Sequence, residues 1–142
     1  MEALIYWTEK SLSLEEVEKL VSGLGYATEL YPENMVVYSN LRATPTPVST
    51  WIKTDRLDHV ADDEATLQHF AAHHFTKRGI IIIEFSKDLL DPVLKELIFL
   101  LGHIMGQHAG FVGVDYTARI FGRDELGEIK QYARDYYSMG ND

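Results

Sequence analysis

The distribution of apolar residues predicts strands and helices along most of the chain. The most distinctive segment is Gly79–Phe85, which contains four successive isoleucines. Because consecutive strand residues point to opposite faces of a sheet, this run predicts a central strand that is covered on both sides. The segment Val93–Met105 is apolar nearly all round. It predicts a helix that is either deeply buried or offers an apolar side to a partner.

The first predicted helix has the clearest start signal. Ser13 stands at the N-cap position and Glu16 follows three residues later, which is the spacing of a capping box. Leu12 and Val17 occupy the two positions of a hydrophobic staple. An apolar stripe at helical spacing then continues to Leu24.

The remaining elements follow from periodicity and from turn residues. Strands are predicted at Ala3–Trp7, Tyr26–Tyr31, Met35–Ser39, Ser49–Lys53 and, as one long element, Gly110–Phe121. Helices are predicted from Asp62 or Asp63 to Phe75, from Asp91-Pro92 to Met105, and from Asp124 to Tyr137. These elements predict one globular domain over 1–142, of α+β or α/β class. We expect a mixed sheet of about five or six strands packed against four helices.

Composition and charge restrict the classes of function. The chain has 142 residues, no cysteine, and 22 acidic against 13 basic side chains, for a net charge of -9. Disulfides and thiolate chemistry are therefore excluded, and nucleic acid is disfavoured as a ligand because phosphates would be repelled. A signal peptide and a membrane span are not indicated, so the sequence predicts a cytoplasmic protein without a membrane partner. No cofactor is indicated.

Acidic side chains concentrate in two segments, Glu15–Glu18 and a longer one that contains Asp55, Asp58, Asp62, Asp63 and Glu64. One interpretation is a solvated helix start, where carboxylates are common. The alternative is a surface that binds a basic protein partner, and the overall negative charge is consistent with it.

Aromatic residues lie on both sides of the proline-containing connection Thr44–Pro47, namely Tyr31, Tyr38 and Trp51. Aromatic side chains beside an irregular segment are typical of binding surfaces. They are equally typical of a loop that is packed against its own domain, and the sequence leaves both interpretations open.

Two histidines suggest a different kind of site. His69 and His73 are four residues apart and would share one face of a helix, as in zinc sites on helices. The chain has no cysteine to complete a structural zinc site, and no glutamate lies between the histidines in the manner of a zinc protease. The competing interpretation is that they cover a polar helix face.

We expect a small acidic binding protein without catalytic residues, for example an immunity protein or inhibitor that neutralises a basic toxin or enzyme. The predicted partner-binding residues are Asp55, Asp58, Asp62, Asp63, Glu64, Trp51 and Tyr38. One alternative is a small metal-dependent hydrolase that uses His69 and His73. Another is a self-associating accessory subunit, such as a homodimer formed through the apolar helix Pro92–Met105.

Overall fold

The computed structural model describes residues 2–38, 49–55, 63–85, 90–114 and 119–139. The described strands are β1 (Glu2–Thr8), β2 (Ala27–Leu30), β3 (Met35–Tyr38), β4 (Ser49–Asp55), β5 (Gly79–Phe85), β6 (Gly110–Val114) and β7 (Ile120–Phe121). The α-helices are α1 (Leu14–Gly23), α2 (Glu64–Ala72), α3 (Leu90–Gln107) and α4 (Ile129–Met139), and a 3₁₀ helix at Arg123–Glu128 precedes α4. The predicted α+β domain with four α-helices is confirmed.

The strands form one sheet of seven strands in the order β2-β3-β4-β5-β1-β6-β7. Every described pairing is antiparallel, in contrast to the mixed sheet expected from the sequence. The reason is the position of β1, which lies between β5 and β6 and runs antiparallel to both. The strand–helix–strand unit formed by β5, α3 and β6 is therefore present, but its two parallel strands are not neighbours.

The larger part of the hydrophobic core lies between one face of the sheet and helices α1, α3 and α4. Leu4 and Ile83 project into it from the centre of the sheet, and Leu94, Leu101 and Ile129 are among the helix residues that cover them. All five are almost completely buried. We call this the three-helix face.

The opposite face of the sheet has a smaller apolar cluster under α2. Phe70 of α2 packs there with Ile5 and Trp7 of β1 and with Ile80 and Ile82 of β5. Ile81 and Ile83 of β5 belong to the three-helix face instead. The isoleucine run is therefore buried on both sides, as its lack of alternation predicts.

The start of α1 matches the sequence prediction at the level of single atoms. The Glu16 backbone N–H donates to Ser13 Oγ at 3.1 Å, and the Ser13 N–H donates to Glu16 Oε1 at 3.3 Å. This reciprocal capping box satisfies two N–H groups that a helix start would otherwise leave unpaired. Leu12 and Val17 are both buried beside it.

The predicted long strand Gly110–Phe121 is wrong, because its two ends fold back on each other. Val112 pairs with Phe121 and Gly113 with Ile120, so β6 and β7 are antiparallel neighbours. Val112 consequently faces the three-helix core, whereas Ile120 belongs to the cluster under α2.

The start of the last helix also differs from the prediction. The N-cap of the 3₁₀ helix is Gly122, and not Asp124 as predicted. The Gly122 N–H donates to the Glu125 carboxylate at 3.2 Å. Arg123 next to it donates from Nε to the carbonyl of Gly102 at 3.0 Å. A cation is thereby held near the last turns of α3, where free carbonyl groups favour positive charge.

Candidate functional site

A polar and aromatic surface lies over β2, β3 and β4, on the same face of the sheet as α2. The strand register places Glu29, Val36, Trp51 and Glu84 side by side across β2 to β5. Because strand side chains alternate, the β4 residues two and four positions after Trp51 share this face. We call the surface the aromatic–acidic face and define it as Glu29, Tyr31, Glu33, Tyr38, Trp51, Lys53, Asp55 and Glu84.

Glu29 is held by two tyrosine hydroxyl groups. The Tyr31 hydroxyl donates to Glu29 Oε2 at 2.6 Å, and the Tyr38 hydroxyl donates to Oε1 at 2.9 Å. Hydrogen bonds to a carboxylate favour its charged form. The bond from Tyr31 and, to a smaller extent, the bond from Tyr38 therefore hold the pKa of Glu29 below its ordinary value. They raise the pKa of each tyrosine for the same reason. The result is an ionised carboxylate with a fixed orientation at the molecular surface.

Tyr31 and Trp51 form a stacked pair next to this carboxylate. Their ring centroids are 6.3 Å apart and their planes differ by 28°. Tyr31 is 45% exposed, so much of its ring is open to solvent. The two rings line a cavity of about 460 Å³ together with Pro32, Glu33 and Asn34 of the β2–β3 turn. The pair is therefore one wall of a preformed recess.

The recess continues along β4 towards charged residues. Lys53 Nζ lies 3.4 Å from Glu84 Oε1, and both side chains are partly exposed. This ion pair, Trp51 and Asn34 line a second cavity of about 230 Å³. A third cavity of about 630 Å³ has Lys53 and Asp55 among its lining residues. The wall thus changes from aromatic to charged along a single strand.

The structure brings together part of the predicted partner-binding set. Tyr38, Trp51 and Asp55 lie on the aromatic–acidic face. Asp63 caps α2, accepting a hydrogen bond from the Thr66 N–H at 2.8 Å. Glu64 stands in the first turn of that helix. The predicted residues Asp58 and Asp62 lie outside the described residues.

The acidic segment is not one solvated helix start. Asp55 is the last residue of β4, whereas Asp63 and Glu64 belong to the start of α2. The carboxylate of Asp63 has a structural role, since a capping aspartate satisfies a backbone donor of its own helix. Of the described acids in this segment, Asp55 is the one that lies in the sheet, on the same face as Trp51.

His69 of α2 and His73, the C-cap residue of this helix, are close together on an aromatic surface. Their rings stack at 4.2 Å, and His69 and His73 both pack against Phe111 of β6. His73 Nδ1 lies 2.9 Å from the His69 carbonyl oxygen, and His69 Nε2 is buried without a hydrogen-bond partner among the described residues. Within the same part of the chain, no group of three or more potential ligand side chains is placed to hold a metal ion. Metal binding by this pair stays a prediction.

The sequence did not identify Glu29, Glu33 or Lys53 as site residues. Their role depends on the register of β2 to β5, which joins distant parts of the chain. A local signal did exist in β4, because Trp51, Lys53 and Asp55 alternate with period two. That alternation predicts one shared face for an aromatic ring and two opposite charges.

Comparisons with known proteins do not assign the chain to a family. No family model, no curated protein and no solved structure matches it. Among the helices in the described part of the chain, none is long and apolar enough to cross a membrane.

Proposed function

We propose that this chain is a non-enzymatic binding protein whose aromatic–acidic face binds a basic macromolecule. The observation that carries the proposal is the recess lined by Tyr31 and Trp51, with an oriented carboxylate at its side. Aromatic anchors in a recess and oriented charges around it are the features that give protein interfaces their affinity and specificity.

The charge of this face supports a basic partner. Among the described residues of this face, Glu29, Glu33, Asp55 and Glu84 carry carboxylates, and Lys53 carries the one ammonium group. The net charge of -9 has the same sign. A field of one sign attracts an oppositely charged partner before contact and raises the rate of association.

The most concrete version of this proposal is an immunity protein or inhibitor that acts in the cytoplasm and neutralises a basic toxin or enzyme. Such a protein needs a preformed surface and fast association, and it needs no catalytic group. The strands of a sheet provide the rigid support, since the positions of Glu29 and Trp51 are set by pairing with β3.

Two alternatives make different demands on the protein. A metal-dependent hydrolase would require stoichiometric metal bound through His69 and His73 in the purified protein. A self-associating subunit would require an oligomer that dissociates on dilution, formed through α3. From position 94 onward, the apolar residues of α3 point mainly into the core, while Phe99 is 53% exposed on the outer side of the helix.

The test measures binding of a fluorescent decapeptide that contains lysine and arginine in equal number. We expect binding that weakens as salt rises, because exposed charges are screened over a Debye length of about 10 Å at 0.1 M salt and about 3 Å at 1 M. A triple variant with Glu29→Gln, Glu33→Gln and Glu84→Gln should associate at least about tenfold more slowly at low salt.

The matched control removes the same charge elsewhere, by Glu15→Gln, Asp124→Asn and Glu128→Gln. Glu15 lies on α1, which packs on the opposite face of the sheet, and Asp124 and Glu128 lie on the 3₁₀ helix. If the control variant slows association as much as the first one, only the net charge matters and the proposed face is wrong. If the parent protein does not bind the peptide at all, the proposed function is wrong.

A further inference from the structure

The geometry of the recess restricts what kind of cation it accepts. The ring centroids of Tyr31 and Trp51 are 6.3 Å apart, which is within the range of rings in direct aromatic contact. A third planar group therefore does not fit between them. A ligand must instead lie along the open side of the pair, in the cavity that Pro32 and Asn34 also line.

The carboxylate of Glu29 has acceptor capacity left. Each of its oxygens receives one hydrogen bond from a tyrosine hydroxyl. An ionised carboxylate has about four lone-pair sites, so about two remain for a ligand, one on each oxygen. Two acceptors on one carboxylate match the paired N–H groups of a guanidinium.

From these two observations we infer that the recess binds an arginine side chain of the basic partner. Its guanidinium group stacks on the open face of the Tyr31–Trp51 pair and donates two parallel hydrogen bonds to Glu29. Glu29 adjoins the cavity through its hydrogen bond with Tyr31, and Glu33, which lines the cavity itself, adds a second negative charge. This inference rests on the proposed function, because it names the group by which the basic partner is recognised.

Lysine satisfies these contacts less well. A guanidinium group is planar and weakly hydrated, so it stacks on an aromatic ring and bonds a carboxylate at the same time. An ammonium group is compact and strongly hydrated, and it has no flat surface to stack. The structure therefore favours arginine over lysine at this position, although both carry one positive charge.

The experiment uses three blocked tripeptides of glycine, a central residue and glycine, with arginine, lysine or citrulline in the centre. Citrulline has nearly the shape of arginine but no charge. Nuclear magnetic resonance follows the indole N–H signals of the intact protein, where Trp51 reports on the recess. Trp7 is 3% exposed under α2 and serves as an internal reference that should not shift.

We expect the arginine peptide to shift the Trp51 signal and to bind at least about fivefold more tightly than the lysine peptide, with citrulline weaker still. Glu29→Gln keeps the side-chain shape and should weaken arginine binding about tenfold. The control Glu128→Gln, which removes a carboxylate from the 3₁₀ helix, should leave it within about twofold.

Equal shifts with arginine and lysine would overturn the inference and leave the proposed function standing, since a basic partner would still be bound. The inference is also overturned if the arginine peptide binds without moving the Trp51 signal, or if Glu29→Gln has no effect. Failure of the proposed function itself shows separately, as loss of all binding of the basic decapeptide.

Discussion

The two tryptophans of this chain lie on the same face of one sheet and have opposite environments. Trp7 is 3% exposed, packs edge-on against Phe70 of α2 and belongs to an apolar cluster. Trp51 is half-buried, stacks on an exposed tyrosine and lies opposite Glu84 of β5. The difference lies in what covers each side chain, and it separates a residue that holds α2 on the sheet from one that remains available to a ligand.

The largest expected difference is in stability. Trp7→Ala removes a buried ring and leaves a cavity under α2. It should therefore lower the free energy of unfolding by about 3–5 kcal/mol. Trp51→Ala should cost about 1 kcal/mol or less. Urea unfolding of the two variants measures both values. Equal losses of stability in the two variants would contradict the conclusion that Trp7 holds α2 on the sheet and that Trp51 is available to a ligand.

A glycine tests how closely Trp7 is packed. Gly113 of β6 lies beside the indole ring of Trp7, which belongs to β1. A Cβ added at Gly113 would be 2.8 Å from the indole atoms Cη2 and Cζ3. Gly113→Ala should therefore destabilise the protein by about 1–3 kcal/mol, through overpacking.

Gly23 is the matched control for this substitution. An added Cβ there meets nothing within 4 Å, and the residue ends α1. Gly23→Ala should leave stability unchanged or raise it by about 0.4–1 kcal/mol. If the two glycine variants unfold at the same urea concentration, the tight contact between Gly113 and Trp7 is not real.

His69 of α2 makes the stability of the protein depend on pH. Burial lowers the pKa of His69 below its ordinary value of 6.5, and the neighbouring His73 lowers it further, against an opposing effect of Glu125. As the pH falls, His69 therefore binds a proton in the unfolded chain before it does so in the folded protein. The stabilisation from neutral, buried His69 is complete above about pH 6.5 and is lost as the pH falls below that value. His69→Gln should reduce the slope of stability against pH in the range just below about pH 6.5. Parallel curves for parent and variant would refute the prediction.

The smallest expected effect is a change in the pKa of Glu29 on the aromatic–acidic face. Tyr38→Phe removes one hydroxyl from Glu29 and keeps the ring, so the pKa of Glu29 should rise towards its ordinary value. Tyr31→Phe should raise it more, because the Tyr31 hydrogen bond is the larger cause. Carboxyl signals followed by nuclear magnetic resonance titration give the pKa in each variant. An unchanged pKa in both would mean that the hydroxyl groups do not orient this carboxylate in solution.

Features that depend on a few neighbouring residues were predictable from the sequence. The capping box of Ser13 and Glu16, the aspartate cap of α2 and the two-sided burial of the isoleucine strand all follow from spacing within one segment. Tyr38 and Trp51 were identified as candidates for the same reason, since aromatic residues beside a proline-containing segment form a local signal.

Features that depend on pairing between distant segments were not predictable. The antiparallel sheet follows from the insertion of β1 between β5 and β6, and no local pattern in β1 specifies its neighbours. The role of Glu29 has the same origin. It becomes a candidate only when the register aligns it with Val36 and Trp51, because an isolated glutamate in a short strand gives no signal of its own.

The central position of β1 also sets the order in which the sheet is completed. Leu4 pairs with Ile83 on one side and with Val114 on the other, so both partners of β1 are made long after it. Contacts between residues so distant in the chain slow folding, because a large loop must close before any pairing energy is gained. During synthesis the apolar residues of β1 therefore stay unpaired until most of the chain has left the ribosome. In this interval a segment that later lies inside the sheet has no partner strand, which makes the nascent chain prone to aggregation.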